Sequence, residues 1–299
     1  MKPLQFTWTV GKASSGKFLR EYLLQEKFIS RQALTDIKYG GGALFVNDQP
    51  VTVRHQLQEN DQVTVFFPPE EVSESMEPVE IPLSVLFEDE HFLAVDKPAN
   101  MPTIPSMFRN TDSLAQAVLF YYQQEGISST IHAVNRLDRD TSGIVMFAKH
   151  RYGHSLLSRL QKSGEMNRTY LALCHGVPGE AKGTIEKPIG RQEGSIIERC
   201  VRGDGQQAKT HFEVLQSFGD HALVRLKLET GRTHQIRVHM ASVGHPLLGD
   251  DLYGGNHALI GRQALHSQSM QFYNPFLEKM IVIEAPVPDD MARLIENQA

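Results

Sequence analysis

The sequence predicts an α+β protein built around a largely antiparallel sheet, with a small α/β unit in front of it. Three observations support this prediction. The larger part of the chain mixes strands and helices without a repeating βα rhythm, apolar and charged residues alternate over residues 222–229, and the acidic segment 69–80 contains proline and serine. That last composition is typical of an extended linker. We therefore expect a unit at 1–68, an acidic linker at 69–80 and a second domain at 81–299.

In the N-terminal unit, residue spacing and turn signals predict two helices followed by a small sheet. Apolar residues recur at helical spacing over residues 18–23. Ser30 is a suitable N-cap for a second helix running to about Tyr39, and three glycines then end that helix. The predicted strands are residues 43–46, 51–53 and 62–67, and a turn at residues 47–50 is expected to join the first two.

The larger domain mixes both element types. Its predicted strands cover residues 83–87, 92–95, 144–149, 169–174 and 222–228, and its predicted helices are residues 114–122 and a helix containing Leu156, Leu157 and Leu160. The sequence has no glycine-rich nucleotide-binding loop, so no nucleotide cofactor is expected.

The net charge of −5 at pH 7 is unevenly distributed along the chain. Eight acidic residues and no basic one lie between Glu70 and Glu90. Residues 1–40 and residues 131–170 each contain seven basic residues against three acidic ones. The pattern accommodates basic surface patches for nucleic acid, and it equally accommodates ordinary solvated helix faces.

Hydropathy and cysteine content exclude other classes of protein. No apolar run approaches the ~20 residues that cross a bilayer, and the N-terminus has no apolar signal-peptide core. Two cysteines are too few for a disulfide framework or a zinc knuckle. We expect a cytoplasmic protein that has no structural metal and no contact with a membrane.

The densest polar cluster is residues 135–143, NRLDRDTSG, directly before a predicted strand. Its second half consists of turn-forming residues. Asp138 differs, because Arg136 and Arg139 flank it and their positive charge favours the ionised carboxylate. Such a carboxylate can act as a nucleophile, act as a base or form a simple salt bridge. The residues alone leave these roles open.

A second cluster, GRTHQIRVHM, begins another predicted helix, with Thr233 as its expected N-cap. Arg232 and Arg237 then lie near the positive end of the helix dipole, where cations lower stability. We therefore expect an anion beside them, either a substrate phosphate or a protein carboxylate. His234 and His239 are five residues apart and do not share a helical face, which argues against a metal site.

The order and spacing of these clusters form a longer pattern. The matching motifs are RLDRDTSG at 136–143, DKP at 96–98, YLAL at 170–173, AKT at 208–210, GRTHQIRVHM at 231–240, GHPLLGD at 244–250, YG at 253–254, ALH at 264–266 and EAP at 284–286. Together they resemble the RluA-type RNA pseudouridine synthase family, whose signature reads RLDxxTSG. The resemblance spans nearly all of residues 83–290 and implies the pseudouridine synthase fold.

This resemblance implies an isomerase that converts uridine in RNA to pseudouridine. In that reaction the C1′–N1 glycosidic bond breaks, the uracil rotates and C1′ bonds to C5. The product keeps all atoms of the substrate, so neither a cofactor nor a metal is implied. RNA is the implied partner, with large-subunit ribosomal RNA favoured and transfer RNA as the alternative, and we expect a monomer.

The resemblance also implies roles for individual residues. Asp138 falls on the catalytic aspartate, which either attacks C1′ or removes a C2′ proton. Tyr170 falls on the tyrosine that packs against the uracil, and Arg237 on the arginine that pairs with the aspartate. Arg136 matches an arginine that displaces the target base from its helix, and Leu137 is expected to line the uracil pocket.

Most of residues 15–68 resemble the alpha-L RNA-binding motif of a small-subunit ribosomal protein and several RNA-modifying enzymes. The resemblance implies that Lys17, Arg20 and Arg31 lie against RNA phosphates, in contacts that do not depend on sequence. A small packing domain with ordinary surface cations is the alternative.

Two segments, residues 101–105 and 167–168, depart from the family pattern and are expected to affect peripheral RNA contacts. Two other functions remain as hypotheses. One is a glycoside hydrolase that uses Asp138 and Asp140 as its carboxylate pair. The other is an RNA-binding protein without catalytic activity. Product analysis on RNA with tritium at uracil C5 distinguishes all three.

Overall fold

The computed structural model describes residues 4–70, 76–105 and 112–296. Its strands are β1 Gln5–Thr9, β2 Ala43–Val46, β3 Gln49–Pro50, β4 Gln62–Phe66, β5 Ser84–Glu88, β6 Phe92–Lys97, β7 His132–Ala133, β8 Ser142–Ala148, β9 Asn167–His175, β10 Lys182–Glu186, β11 Ile189–Arg191, β12 Arg199–Val201, β13 Lys209–Ser217, β14 His221–Leu228, β15 Leu265–Asn274 and β16 Lys279–Glu284. Its helices are α1 Leu19–Glu21, extended by a π-helical turn at Tyr22–Glu26, α2 Arg31–Tyr39, α3 Leu114–Gln124, α4 Arg151–Ser163, α5 Gln235–Ser242 and α6 Asp289–Glu296.

The N-terminal unit contains a small sheet in the order β1-β4-β2-β3. Its first strand, β1, was not predicted, and the predicted strand at 51–53 is wrong. Asn47 and Asp48 both adopt positive φ, which is the geometry of a tight two-residue hairpin turn. The turn brings Gln49 and Pro50 into register with β2, and the contact ends with a hydrogen bond from the Val51 N–H to the Leu44 carbonyl at 3.0 Å, so no strand covers 51–53.

The second helix of this unit confirms its predicted boundaries. The Ser30 hydroxyl accepts a hydrogen bond from the backbone N–H of Ala33 at 3.1 Å and caps α2. The helix ends at Tyr39, immediately before the glycine run. Its buried face packs on the small sheet in one apolar core.

The larger sheet runs in the order β10-β13-β14-β9-β15-β8-β6-β5, with β16 added beside β15 and β7 beside β8. Strands β8 and β15 pair in parallel and the other neighbours run antiparallel, so the predicted α+β class is confirmed. Gly143 on β8 has a φ of +106°, and a Cβ there would lie 2.3 Å from the Ser267 carbonyl oxygen. Only glycine allows β8 to approach β15 so closely. This approach positions the loop before β8 beside β15.

The N-terminal unit packs on α4 of the larger part. The ring centre of Phe6 lies 5.0 Å from that of Tyr152, and the Tyr152 hydroxyl donates to the carbonyl of Lys27 at 2.7 Å. Asp36 on α2 forms an ion pair with Arg151. The two parts therefore share an interface that is apolar at its centre and polar at its rim.

Glu70 adds a second polar contact between the two parts. Glu70 lies within the expected linker, yet its carboxylate bonds the His132 ring and accepts the Arg151 backbone N–H at 2.7 Å. Burial, the largest influence, raises the pKa of Glu70, but the contacts with His132 and Arg151 outweigh it and hold the pKa below its usual value. Residues 71–75 of the expected linker lie outside the described residues.

Among the described residues, no helix is both long enough and apolar enough to cross a bilayer.

Candidate active site

A cavity of about 450 Å³ opens where the loop before β8, the middle of β9 and the start of α5 meet. Six of the residues predicted to form the site line this cavity: Arg136, Leu137, Asp138, Tyr170, Arg232 and Arg237. The other three predicted residues, Lys17, Arg20 and Arg31, belong to the N-terminal unit and are not part of the cavity wall. The fold thus gathers residues that are up to 101 positions apart in sequence.

The loop that carries Asp138 is held by side-chain hydrogen bonds to β8. The amide of Asn135 donates to the Ile144 carbonyl at 3.1 Å and accepts from the Met146 N–H at 2.8 Å. The backbone N–H of Thr141 donates to the Asp138 carbonyl at 3.1 Å, which closes the turn. The Asp138 carboxylate is left out of this network and projects toward the cavity.

Lys97, at the end of β6, also holds the loop that carries Asp138. Its fully buried Nζ donates to the carbonyls of Pro98, Met101 and Arg139 at 2.8, 2.7 and 2.9 Å. Burial, the largest influence, lowers the pKa of Lys97 to about 7, although Asp140 and Asp138 act to raise it. The three carbonyl oxygens match the three donors of an ammonium group and so favour the charged form.

The unusual segment at 101–105 belongs to this support. The Thr103 hydroxyl donates to the Leu137 carbonyl at 2.9 Å and accepts from the Leu137 N–H at 3.1 Å. The sequence analysis expected this segment to affect peripheral RNA contacts. The structure instead places the buried Thr103 in the cavity wall, where it bonds Leu137, the residue next to Asp138.

Asp138 and Arg237 form the ion pair at the centre of the site. Arg237 Nη1 lies 3.1 Å from Asp138 Oδ2. Behind it, Arg237 Nε and Nη2 donate to Asp250 at 2.7 and 2.8 Å in a bidentate contact. The side-chain exposures are 27% for Asp138, 7% for Arg237 and 0% for Asp250. Arg237 is thus fixed from behind and offers one remaining edge to the more exposed carboxylate.

The electrostatics of Arg237 follow from this arrangement. Burial, the largest influence, lowers the pKa of Arg237, but the hydrogen bonds and charge of Asp250 and the charge of Asp138 outweigh it and raise the pKa above its usual value. Arg237 therefore stays charged and supplies a fixed positive charge beside the Asp138 carboxylate.

The helix start differs from its prediction. Thr233 is not the N-cap: His234 takes that position, with a positive φ of 57° and no side-chain cap on the helix. His234 Nδ1 bonds the Tyr253 hydroxyl at 2.7 Å, and that hydroxyl accepts the Arg199 N–H at 2.9 Å. This contact with Tyr253 holds His234 in the left-handed conformation, which is uncommon for a non-glycine residue and recurs at functional sites.

His234 also faces the central ion pair. Its Nε2 lies 3.9 Å from Asp138 Oδ2. Burial is the largest influence on the pKa of His234 and lowers it, against the charge of Asp138. The lowered pKa favours the neutral ring, and a Tyr253 hydroxyl that donates to Nδ1 leaves the proton on Nε2, toward Asp138.

The remaining cavity residues divide by depth. Tyr170 and Leu137 are buried, whereas Arg136 and Arg232 are exposed at the opening. Arg232 Nε donates to the Gln207 carbonyl at 3.1 Å, so its guanidinium is oriented but has edges left for an anion. The cavity thus has Leu137 and Tyr170 in its interior, beside the Asp138–Arg237 pair, and a positively charged opening.

The carboxylates of the hydrolase hypothesis are not paired in this cavity. Asp140 lies two residues from Asp138 but lines a different cavity, together with Arg139 and Arg262. The two carboxylates open onto separate spaces, so they are not arranged on the two sides of one scissile bond.

His234 and His239 also contact separate parts of the structure. His239 Nδ1 bonds the Thr210 hydroxyl at 2.8 Å and Nε2 bonds the Lys187 carbonyl at 2.9 Å, away from His234. Within residues 4–70, 76–105 and 112–296, no three His, Cys, Asp or Glu side chains are grouped so as to hold a metal ion.

Sequence reasoning missed three members of the site: Lys97, Asp250 and Tyr253. All three lie in motifs that were recognised, DKP, GHPLLGD and YG, but without a role. The usable signal for Asp250 was the expectation that Arg237 needs an anion, because Asp250 is an acid within reach of the same helix.

Comparisons with known proteins identify the family of this chain. The family model for RNA pseudouridylate synthase matches residues 91–242. An uncharacterized RNA pseudouridine synthase of Bacillus subtilis, YjbO, is 49% identical over 270 residues, which cover 90% of this chain and 95% of that protein. Ribosomal large subunit pseudouridine synthase D of Xanthomonas campestris is 35% identical over 89% of this chain and 84% of that protein.

Among solved structures, human RNA pseudouridylate synthase domain containing 1 superimposes with a TM-score of 0.58 and 27% identity, covering 71% of this chain and 86% of that one. The family model matches just over half of the chain, and it covers the loop with Asp138, the strand with Tyr170 and the helix with Arg237. The chain therefore belongs to the RNA pseudouridylate synthase family and is an isomerase that modifies RNA.

Proposed function

We propose that this enzyme converts uridines of large-subunit ribosomal RNA to pseudouridine and that Asp138 is its essential catalytic residue. The ribosomal substrate is supported by the relatives named ribosomal large subunit pseudouridine synthase D, which match most of the chain. The proposal includes a monomeric enzyme that works in the cytoplasm, where it meets folded ribosomal RNA.

The observation that carries the role of Asp138 is its ion pair with Arg237 at the cavity wall. A carboxylate that is 27% exposed can reach a ligand, while the buried Arg237–Asp250 contact fixes the guanidinium that orients it. Attack at C1′ and removal of a C2′ proton both require an ionised carboxylate at the ribose.

The course of the reaction follows from the depth of the cavity. The target nucleotide leaves its stack, at a cost of a few kcal/mol, and its base enters the interior. Tyr170 packs against the uracil, because an aromatic ring offers a face to any base. The C1′–N1 bond then breaks, the uracil turns, C1′ bonds to C5, and the C5 proton leaves while N1 gains one.

The exposed arginines serve the RNA chain rather than the base. Arg136, beside Asp138 at the opening, fills the space that the displaced base leaves, because a guanidinium both stacks and binds phosphate. Arg232 binds a neighbouring phosphate. Lys17, Arg20 and Arg31 of the N-terminal unit anchor more distant phosphates of the same RNA.

The experiment compares Asp138→Asn with Asp140→Asn on an unmodified large-subunit ribosomal RNA transcript that carries tritium at uracil C5. We expect Asp138→Asn to release tritium about 1,000-fold or more slowly than wild type. The matched control Asp140→Asn removes the neighbouring carboxylate, which faces the other cavity, and should remain within about threefold.

Full activity of Asp138→Asn would contradict the catalytic role. The substrate is tested with small-subunit ribosomal RNA and transfer RNA transcripts in parallel: faster reaction on either one contradicts the ribosomal large-subunit assignment. Free uracil among the products would indicate hydrolysis instead of isomerisation.

A further inference from the structure

Arg168 has no place in the mechanism so far, yet it lines the same cavity. It lies on β9, two residues before Tyr170, so both side chains project from the same face of the strand. Its exposed fraction is only 6%. The sequence analysis expected this position to affect peripheral RNA contacts, and the structure instead places its guanidinium within the wall of the cavity, at the level of the uracil-packing tyrosine.

The surroundings of Arg168 contain no counter-charge. Within the part of the chain that the structure describes, no Asp or Glu oxygen lies within 4.0 Å of its guanidinium, and Nε has no hydrogen-bond partner. With its amide turned so that nitrogen donates to the Val134 carbonyl, Gln161 accepts from Arg168 Nη1 at 3.1 Å. Gly231 lies beside the guanidinium and adds no side chain against it, since a Cβ there would lie 3.4 Å from Nη1.

A comparison with Arg237 shows that a buried arginine without a carboxylate partner is unusual in this cavity. Arg237 is equally buried but contacts two carboxylates, Asp138 and Asp250. A buried charge without a partner is unfavourable in the free protein, so the fold holds Arg168 as a donor whose partner arrives with the ligand. Such a preoriented donor is effective where negative charge develops during a reaction.

The depth of Arg168 decides which part of the RNA it meets. Phosphates belong to the continuous chain and stay at the opening, where Arg136 and Arg232 are exposed. The base alone reaches the interior beside Tyr170. When the C1′–N1 bond breaks, its electron pair remains with the uracil and spreads to the O2 and O4 carbonyl oxygens.

We propose that Arg168 donates a hydrogen bond to a uracil carbonyl oxygen and stabilises the negative charge on the detached uracil. The inference rests on the proposed function and adds a catalytic residue to it. The charge is transient: the uracil returns its electrons when C5 bonds to C1′ and the C5 proton leaves, so no other reactant is needed.

The test measures single-turnover pseudouridine formation by Arg168→Gln and Arg168→Lys on the large-subunit ribosomal RNA transcript. We expect Arg168→Gln to react about 100-fold more slowly while its RNA affinity stays within about threefold, and Arg168→Lys, which keeps the charge, to recover part of the rate. The control Arg225→Gln removes a half-exposed arginine paired with Glu213 on the adjacent strand and should react like wild type.

A second RNA separates stabilisation of the uracil from a structural role. In a transcript with 5-fluorouridine, fluorine itself stabilises the detached base, so the loss in Arg168→Gln should shrink about tenfold relative to uridine. The readout is the disappearance of 5-fluorouridine from the nucleoside digest. The melting temperature of Arg168→Gln should equal or exceed that of wild type, because an unpaired buried charge is removed.

Two results would overturn the proposal: a wild-type rate for Arg168→Gln, or an equal loss of rate on both transcripts. If the wild-type rate is accompanied by weaker RNA binding, Arg168 contacts a phosphate instead. The wild-type protein and Asp138→Asn are run alongside, so a failure of the proposed function is seen separately in those two proteins.

Discussion

Positively charged side chains matter in two regions of this molecule, and the two regions hold them differently. In the N-terminal unit, Arg20 and Arg31 are exposed, and Lys17 is 41% exposed even though it pairs with Glu26 at 2.9 Å. In the cavity, Arg237 is buried between two carboxylates. Exposed cations exchange partners freely and are screened by salt, whereas a buried one keeps a fixed geometry. The first region is therefore suited to affinity, and the second to catalysis.

The largest expected effect comes from removing the support of Arg237. Asp250→Ala leaves a buried guanidinium without its bidentate partner, so we expect a loss of about 3–5 kcal/mol in the free energy of unfolding, together with a large fall in turnover. Chemical denaturation and single-turnover kinetics measure the two. The control is Asp251→Asn, whose carboxylate is exposed. If Asp250→Ala unfolds like wild type, the cavity charges are no more tightly held than those of the N-terminal unit.

A smaller effect is expected from the exposed cations. The triple change Lys17→Gln, Arg20→Gln and Arg31→Gln should weaken binding to large-subunit ribosomal RNA about 10- to 100-fold and reduce the slope of log affinity against log salt by about 2–3. The single-turnover rate at saturating enzyme should not change. Point changes are preferable to deleting residues 1–68, because deletion would expose the apolar interface around Tyr152.

The matching control changes Lys182 and Lys279, two exposed lysines of the larger part, to glutamine. An unaltered salt slope in the triple variant, or the same fall in the control, would remove the distinction between an RNA-anchoring unit and the rest of the surface.

The smallest effect concerns Glu70, which ties the end of the N-terminal unit to the larger part of the chain through His132 and Arg151. Its pKa is lower in the folded protein than the ordinary value of 4.5, so its contribution to stability is present above that value and is lost as the pH falls through the lowered pKa. At pH 7, Glu70→Gln should lower the free energy of unfolding by about 1.5 kcal/mol. Below that lowered pKa, thermal unfolding of the two proteins should coincide. Glu77→Gln, on an exposed residue, is the control and should differ from wild type at neither pH.

Local chemistry was enough to predict much of the fold. The Ser30 cap, the end of α2 and the buried strand before α4 depend on neighbours in sequence, and their predictions agree with the structure. The turn after β2 was expected over residues 47–50, but positive φ angles at Asn47 and Asp48 confine it to two residues, so that the next strand begins at Gln49 instead of Val51.

The site was harder to predict because its geometry is non-local. Thr233 is a good capping residue by type, yet His234 takes the cap position because of a contact with Tyr253, 19 positions later. The pairing of Arg237 with Asp138 spans 99 positions, and only family resemblance suggested it. Arg168 could not have been identified as unpaired from sequence, because a missing partner is a property of the folded surroundings.

The three-carbonyl clamp of Lys97 has a practical consequence. Since this ammonium and Asn135 together hold the backbone around Asp138, the carboxylate itself contributes little to the shape of its loop. Asp138→Asn should therefore give an inactive enzyme whose RNA-binding cavity keeps its shape. Immobilised on a solid support, that variant could bind its natural RNA substrates from a cell extract. Sequencing of the bound RNA fragments would then identify the uridines that the active enzyme modifies.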